Sequence, residues 1–484
     1  MMAVRDMIFF IKENPNTAVF FLFILVLVIY QEHVKEMMKH PEKKDKKRIP
    51  KLSIASADKA AGIIFGKKGK KLYCSKASKE GHIFVCAASG AGKTTSIAIP
   101  SIRAFCRQEA EKKRFFRMPL REQAQPNTCF VIDISGDIEP NCDIPNKLVW
   151  DVEVPTSIPY NILAPIDAEK DPQKQNELLQ KLAFIVMPDC AADGSVTKWF
   201  DDSGRSILTG ALICYYHQGL DFVEICRKIK SLGVFELFQE ITDSEDEAAI
   251  MYIAQFDGTN EQNTAGCKQS VDDAISIFAS HSIMQHIIRR PIGNETSLTP
   301  ALLEDHSLFL KVPDADTDIY GPVLGIITSQ TFDYCAKRKN YQRPHILFVL
   351  DEFASLQIGR TAILNCIRKY RKKNIRLMIL TQALTDIDIL YGKDIRESIL
   401  GNVKFKVILG ITDPKSQQYF ADIIGMRDYR VRSTSFSHGA TNTTYSVRRD
   451  YRVPPEEFGR LGDELYVIGD DGSYIRLEKN YYFK

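Results

Sequence analysis

Short apolar runs that end in small or polar residues alternate along this chain with longer stretches of helical spacing. The runs at His82–Cys86, Ile346–Leu350, Arg376–Gln382 and Val403–Ile411 predict strands, as do "TCFVIDISGD" from Thr128 and Ser307–Val312; five consecutive apolar residues at Ile346–Leu350 mark a strand buried on both faces. Helical patterns between them predict an α/β domain. From about residue 166 to 300 the strand-like runs vanish, and "NELLQKLAFIVM" and "SGRSILTGALICYY" carry helical spacing, so an all-helical insertion is expected there. Near 431–450 the chain turns polar and turn-prone, which predicts an exposed hairpin or loop, and "LYVIGDDGSYIRL" predicts a closing hairpin around Asp-Gly. The division is then an anchor and basic linker over 1–50, an α/β domain in two parts over 51–165 and 301–484, and an all-α domain over 166–300. The charged excursion Glu109–Asn127 reads as a surface insertion, and there are no internal repeats.

The N-terminal pattern differs from the rest. Thr17–Tyr30 is fourteen residues without a charge, preceded by Asn14 and Pro15, which suit a helix start. That run covers about 21 Å against a hydrocarbon core of roughly 30 Å, so a span must extend to about Val34, with Gln31, Glu32 and His33 near the interface. One membrane span is expected, because the run is apolar on every face and no small-x-small cleavage site follows it. Lys35, Lys39, Lys51 and "KKDKKR" (Lys43–Arg48) outweigh Arg5 and Lys12, which places the C-terminal part in the cytosol. The same basic run also suits DNA, but topology and a solvated linker account for it.

Composition adds bounds. At 484 residues the chain exceeds one ordinary core, consistent with an accessory domain. Its 64 Lys and Arg against 61 Asp and Glu exclude nucleic-acid binding argued from net charge alone, so any such surface must be local. Eleven cysteines without a CxxC pair fit neither a zinc site nor a disulfide framework and read as reduced thiols.

The chemistry concentrates where the first buried strand meets a helix, in "HIFVCAASGAGKTTSIAIPSI". Ala87-x-x-x-x-Gly92-Lys93-Thr94 matches the phosphate-binding loop, with Ala87 in a position more often held by glycine. Glycines 90 and 92 let the N–H groups of Ala88, Ser89, Gly90, Ala91, Gly92 and Thr95 converge on phosphate at a helix N-terminus. Lys93 would bridge β- and γ-phosphates, and the Thr94 hydroxyl would take a position on Mg²⁺, which makes ATP the expected ligand. A hydrolase also needs a carboxylate at a neighbouring strand end. "HILFVLDEF" supplies Asp351 for the Mg²⁺ shell, through water, and Glu352 to polarise the attacking water. A third strand ends at Gln382, whose amide can touch the γ-phosphate or the lytic water. In "CIRKYRKKNIR" most cations make a solvated helix face, while one arginine among Arg368, Arg371 and Arg376 can reach a neighbouring subunit's γ-phosphate.

These residues together resemble the type IV coupling proteins of TraG/TraD type, within the wider FtsK/HerA motor superfamily. The resemblance covers roughly 60–484 and rests on the phosphate loop and "LFVLDEFASL", with "FVIDISGDI", "PYNILAPI", "ILTQALTDIDILYG" and "VPPEEFGRLGDELYVIGDDG" beside them. It implies a RecA-like P-loop nucleotide-binding fold with an inserted all-α domain behind an N-terminal transmembrane helix. It makes Lys93 and Thr94 the nucleotide and metal contacts, Asp351 and Glu352 the Walker B pair and Gln382 the sensor, and it selects Arg371 as the trans-acting arginine. It further implies a homo-hexamer at the inner membrane, its ATPase domain in the cytosol, that receives a relaxase on single-stranded DNA and passes it to a type IV secretion channel.

Three departures bear on that transfer. Many members have two membrane spans, and this chain offers one. "DISGD" lacks the family's lysine near Asp133, and no long acidic tail follows the motor domain. Competing readings are an ATPase of the same superfamily that exports protein effectors or pumps double-stranded DNA, and a cargo receptor that does not hydrolyse. The septal DNA pump usually carries several spans and a winged-helix reader, both lacking here, and Glu352 counts against a pure receptor.

Overall fold

The computed structural model describes residues 26–31, 48–57, 59–75, 81–107, 126–154, 157–188, 195–437 and 440–483. The apolar runs form the strands β4 (His82–Cys86), β5 (Thr128–Asp133), β7 (Ser307–Lys311), β8 (Ile346–Leu350), β9 (Ile375–Thr381) and β10 (Val403–Ile408). Each is buried along nearly its whole length, as strands covered by helices on both faces must be. With β6 (Lys147–Asp151) they make a seven-strand parallel block in the order β10-β4-β9-β8-β5-β7-β6. On the β10 side the sheet turns antiparallel through β13 (Glu464–Gly469), β14 (Tyr474–Glu478), β2 (Ile63–Lys68), β3 (Lys71–Ser75) and β1 (Ser53–Ala55). Hairpins join β13 to β14 and β2 to β3, a connection that parallel pairing does not allow. Among the described residues this is one twelve-stranded sheet.

One face of the block packs Ile83, Val85, Val131, Val349, Met378 and Val407 against Ile97, Ile99, Ile102 and Phe105 of the helix that follows β4. Residues between β6 and β7 are mostly helical, with helices from Pro172–Val186 to Glu261–Ser280 and a last short turn at Met284–Ile287. Helix Phe222–Ser231 starts because Asp221 and Glu224 exchange side-chain and backbone bonds of 2.9 and 2.8 Å in a capping box. Residues 288–299 are not helical; Tyr160 bridges Ile288 and Leu298 instead. Helix Thr317–Lys337 crosses the loop after β8 so closely that a Cβ on Gly325 would lie 2.6 Å from the Gln357 carbonyl oxygen. Glycine there lets the helix fix the segment that carries the strand-end carboxylates.

Residues Ala421–Pro454, with those before Pro50, form a separate unit. Its hairpin pairs β11 (Met426–Ser437) with β12 (Ala440–Tyr451) in unbroken register, from Met426 opposite Tyr451 to Ser437 opposite Ala440. In the sequence, 426–452 holds six arginines and two aspartates. Arg427, Tyr429, Tyr445, Arg448 and Arg449 are exposed.

Of the membrane span expected to Val34, the described residues 26–31 are helical, and Val26–Tyr30 are exposed. The rest of that span, Lys43–Lys47 and 109–125 lie outside the described residues. Among the described residues no helix is long and apolar enough to cross a membrane. Ten cysteines are described, all buried and none in a disulfide.

Candidate active site

In a parallel sheet every strand delivers its last residue to the same edge, and the crevice there is where ligands bind in open α/β folds. Here that edge gathers the ends of β4, β5, β8 and β9. After Cys86 the chain turns with Ala87 N donating to the Thr381 carbonyl at 3.1 Å and Ala88 N to the Gly410 carbonyl at 2.8 Å. The turn is therefore tied to the strands on both sides of β4. Gly90 and Gly92 adopt φ of 72° and 88°, a region that costs other residues strain. Ser89 lines the cavity beside them, and Ala91 N closes the turn on Ala88 O at 3.1 Å.

The helix starts at Thr94 with one π turn, Thr94–Ala98, before continuing as Ile99–Phe105. Ser96 returns both its N–H and its hydroxyl to the Gly92 carbonyl, at 2.9 and 2.6 Å. No side chain caps the first turn. Its N–H groups thus face the crevice with the positive end of the helix dipole, a ready site for an anion.

Lys93 bonds the Glu352 carboxylate and lies 3.9 Å from Asp351. Asp351 is 1% exposed, and among the described residues its Oδ1 has no hydrogen-bond partner. Burial pushes its pKa up to about 7; Lys93 pulls it down, while Glu352 and Asp133 push it further up. Glu352 sits in the left-handed region at φ 45°, a strain that non-glycine residues hold only where their surroundings impose it. Gln382, one residue past β9, donates from Nε2 to Glu352 Oε1 at 3.1 Å. Asp133 at the end of β5 is buried, which raises its pKa, and it accepts from Glu139 N at 2.8 Å and Ser135 Oγ at 3.2 Å.

Ser89, Gly90, Gly92, Lys93, Thr94, Thr95, Asp351, Glu352 and Gln382 thus line one cavity of about 400 Å³. Larger cavities of about 490 and 690 Å³ lie among the helices, yet neither sets phosphate-binding backbone beside carboxylates. The residues fit a polyphosphate with a hard divalent cation. A phosphate entering the turn competes for Lys93, and a cation would supply the partner that Asp351 Oδ1 lacks, beside the Thr94 hydroxyl. Sequence reading missed Ser135, Asp137 and Asp314 on the same wall. Their signal was available: each follows a strand that ends at this edge.

Arg371 is not brought to this cavity. It is exposed, in the turn Tyr370–Lys373 before β9, whereas Gln382 follows β9. A seven-residue strand separates the two by about 23 Å, on opposite edges of the sheet. Arg368 binds the Ser398 hydroxyl at 2.7 Å, and Arg376 is buried.

Residues 345–462 match the family model described as the TraM recognition site of TraD and TraG. Protein VirD4 of Rhizobium radiobacter is 22% identical over 438 residues, 87% of this chain and 60% of its own length. The chain is similar to the coupling proteins of type IV secretion. Protein VirD4 of Rhizobium rhizogenes is 20% identical over 452 residues, again 87% of this chain and 62% of its own. This chain therefore spans about three-fifths of the length of these relatives. In structure it superposes on the bacterial conjugative coupling protein TrwBdeltaN70 with a TM-score of 0.64 at 15% identity, covering 92% of this chain and 91% of that one. The plasmid coupling protein TrwB in complex with ADP and Mg2+ gives 0.62 at 16%, covering 83% and 85%. The α/β fold is the one these coupling proteins share.

Proposed function

We propose that this chain is a membrane-anchored ATPase that couples a relaxase on single-stranded DNA to a type IV secretion channel in conjugative transfer. The observation that carries the reading is the meeting of an open phosphate turn, Lys93, a buried Asp351 and a strained Glu352 bonded to Gln382 in one cavity. The likeness to conjugative coupling proteins supplies the cargo class.

In this reading the backbone of 88–95 holds the phosphates of ATP, with Lys93 against the β- and γ-oxygens. Thr94 and Asp351 would hold Mg²⁺, which would supply neutralisation of phosphate charge when bound. When Lys93 turns to phosphate it leaves Glu352, and that carboxylate is then free to orient a water and accept its proton. Gln382, bonded to Glu352, senses whether the γ-phosphate is present and passes the change to the end of β9. Arg371, on the far edge, reaches a nucleotide only on another copy, so the chain works as a ring, a homo-hexamer in the family pattern.

The exposed apolar residues Val26–Tyr30 support an N-terminal anchor in the inner membrane, with the sheet domain in the cytosol. The arginine-rich hairpin of β11 and β12 offers DNA phosphates a local cationic surface on a chain of nearly balanced charge. ATP hydrolysis by the full chain, with and without single-stranded DNA, tests the proposal beside Lys93→Ala and Glu352→Gln. DNA-stimulated turnover lost in both variants supports it; ATP binding without turnover under any DNA condition sinks the motor.

A further inference from the structure

Among the described residues the cavity at the phosphate turn is lined by small and polar side chains, with Ile134 the one large apolar side chain and no aromatic ring. It can hold phosphates, but it offers no flat apolar surface for a nucleotide base. The base must lie beyond it. Asp351, Glu352 and Gln382 occupy the β9–β8 side of the turn, where the γ end of a bound triphosphate belongs. The α end then points to the first helical turn at Thr95, and the base leaves on the other side, toward β10 and β13.

A segment crosses that side. After β14 the chain turns back over the phosphate turn and is fastened at three points. Lys479, 5% exposed, donates to Ala91 O at 2.8 Å and Gly462 O at 2.6 Å. Tyr482 N donates to Thr95 O at 3.1 Å, and Arg103 lies 5.1 Å over the Tyr482 ring. Between these anchors Tyr481 comes against the glycine of the turn itself: a Cβ on Gly92 would lie 3.3 Å from its Cε1. Its hydroxyl donates to Asp463 at 2.9 Å, while the ring's place is set by the anchors at Lys479 and Tyr482 on either side of it.

Tyr482 has packing reasons to be aromatic, since it joins the core beneath the helix. Tyr481 and Phe483 do not share them. Tyr481 is half-buried, Phe483 is 60% exposed, and the two rings stack on each other at 5.4 Å and 28°. Two stacked rings beside a phosphate turn, the outer one exposed, form an apolar wall of the shape a base requires. We propose that Tyr481, backed by Phe483, is the base-stacking wall of the nucleotide site, held in place by the Lys479 and Tyr482 anchors.

The inference rests on the reading of 87–95 as a nucleotide phosphate turn, and the test separates the two. Calorimetric titration of the full chain compares an ATP analogue with a non-hydrolysable β–γ bridge against inorganic tripolyphosphate, which has the phosphates and no base. Tyr481→Ala weakens the analogue about tenfold, the size of one lost base–aromatic stack, and leaves tripolyphosphate within about twofold. Tyr481→Phe, which keeps the ring and loses the Asp463 bond, stays close to the unaltered chain. Equal weakening of both ligands by Tyr481→Ala overturns the wall, because the ring then only braces the turn. No weakening of either ligand overturns it too. An unaltered chain that binds tripolyphosphate but not the analogue overturns the wall alone, and one that binds neither overturns the nucleotide reading with it.

Discussion

Asp351→Asn should make the ligand-free protein more stable, although it removes a residue assigned to the metal site. The carboxylate is 1% exposed; among the described residues one of its oxygens has no hydrogen-bond partner, and the cation close to it, Lys93, is shared with Glu352. Its pKa rises from 3.8 to about 7, mainly through burial. At about 1.36 kcal/mol per unit, that rise corresponds to about 4 kcal/mol. The sign follows from linkage. A carboxyl whose folded pKa exceeds its unfolded one contributes stability that is fully present below about pH 4 and is lost as pH rises through about 7. Asparagine keeps the size and cannot ionise, so it escapes that loss. Its amide N–H₂ would lie near Lys93, which withdraws part of the gain and leaves about 2 kcal/mol at pH 8. Thermal unfolding of the full chain and the variant, without nucleotide or Mg²⁺, reads this as a melting point raised by several degrees at pH 8. The gap should vanish near pH 5, where only about 1.6 kcal/mol of the penalty has developed, and change sign below pH 4, where the amide's cost beside Lys93 alone remains. A variant no more stable at pH 8, or a gap that ignores pH, would falsify the account of Asp351 as a buried charge held ready for a cation.

Glu352→Gln should retain nucleotide affinity and lower turnover by at least about a hundredfold, measured as phosphate release beside equilibrium binding; an equal fall in affinity counts against its role toward water. Gly92→Ala places a Cβ 3.3 Å from Tyr481 at φ 88°, so nucleotide affinity should fall at least tenfold while stability drops by about 1–2 kcal/mol; unchanged affinity would show that the turn does not hold phosphate in this conformation. Replacing Arg448 and Arg449 with alanine should lower the slope of log affinity for single-stranded DNA against log salt by about 1.4, two phosphate contacts at about 0.7 each, and an unchanged slope removes the hairpin from the DNA surface.

The strands at the site were legible because burial on both faces leaves an unbroken apolar run. The runs His82–Cys86 and Ile346–Leu350 coincide with β4 and β8 residue for residue. Their neighbours in the sheet were not legible, because a run that is apolar throughout carries no register and no partner. The meeting of β4 with β9, and the placing of Asp133 near Asp351, come from the order in which helices cross over the sheet. Lys479, Tyr481 and Tyr482 escaped for a different reason. They act through a backbone that folds back from β14, and nothing in "LEKNYYF" marks it as a neighbour of a turn nearly four hundred residues earlier. The hairpin of β11 and β12 runs from Met426 to Tyr451, longer at both ends than its polar centre suggests. There Arg427, Tyr429, Arg448 and Asp450 give strand alternation without a buried face, so hydropathy could not find the ends.

Spacing along the chain placed Arg371 eleven residues before Gln382, and the fold sets those residues on opposite edges of the sheet. An arginine on the amino edge cannot serve the phosphate turn of its own chain without unfolding β9. It can serve a neighbour's if copies pack edge to edge in a ring, and that arrangement has a quantitative consequence. Lys93→Ala chains have no working site of their own but keep Arg371, while Arg371→Ala chains keep the site and lack the arginine. Each alone should be inactive. Mixed one to one and assembled into rings at random, about a quarter of the interfaces pair an intact site with an intact arginine, so about a quarter of the turnover should return. An arginine acting within its own chain predicts no recovery, because neither chain in the mixture carries both residues. Recovery absent from rings shown to be mixed would therefore leave Arg371 as a solvated surface residue.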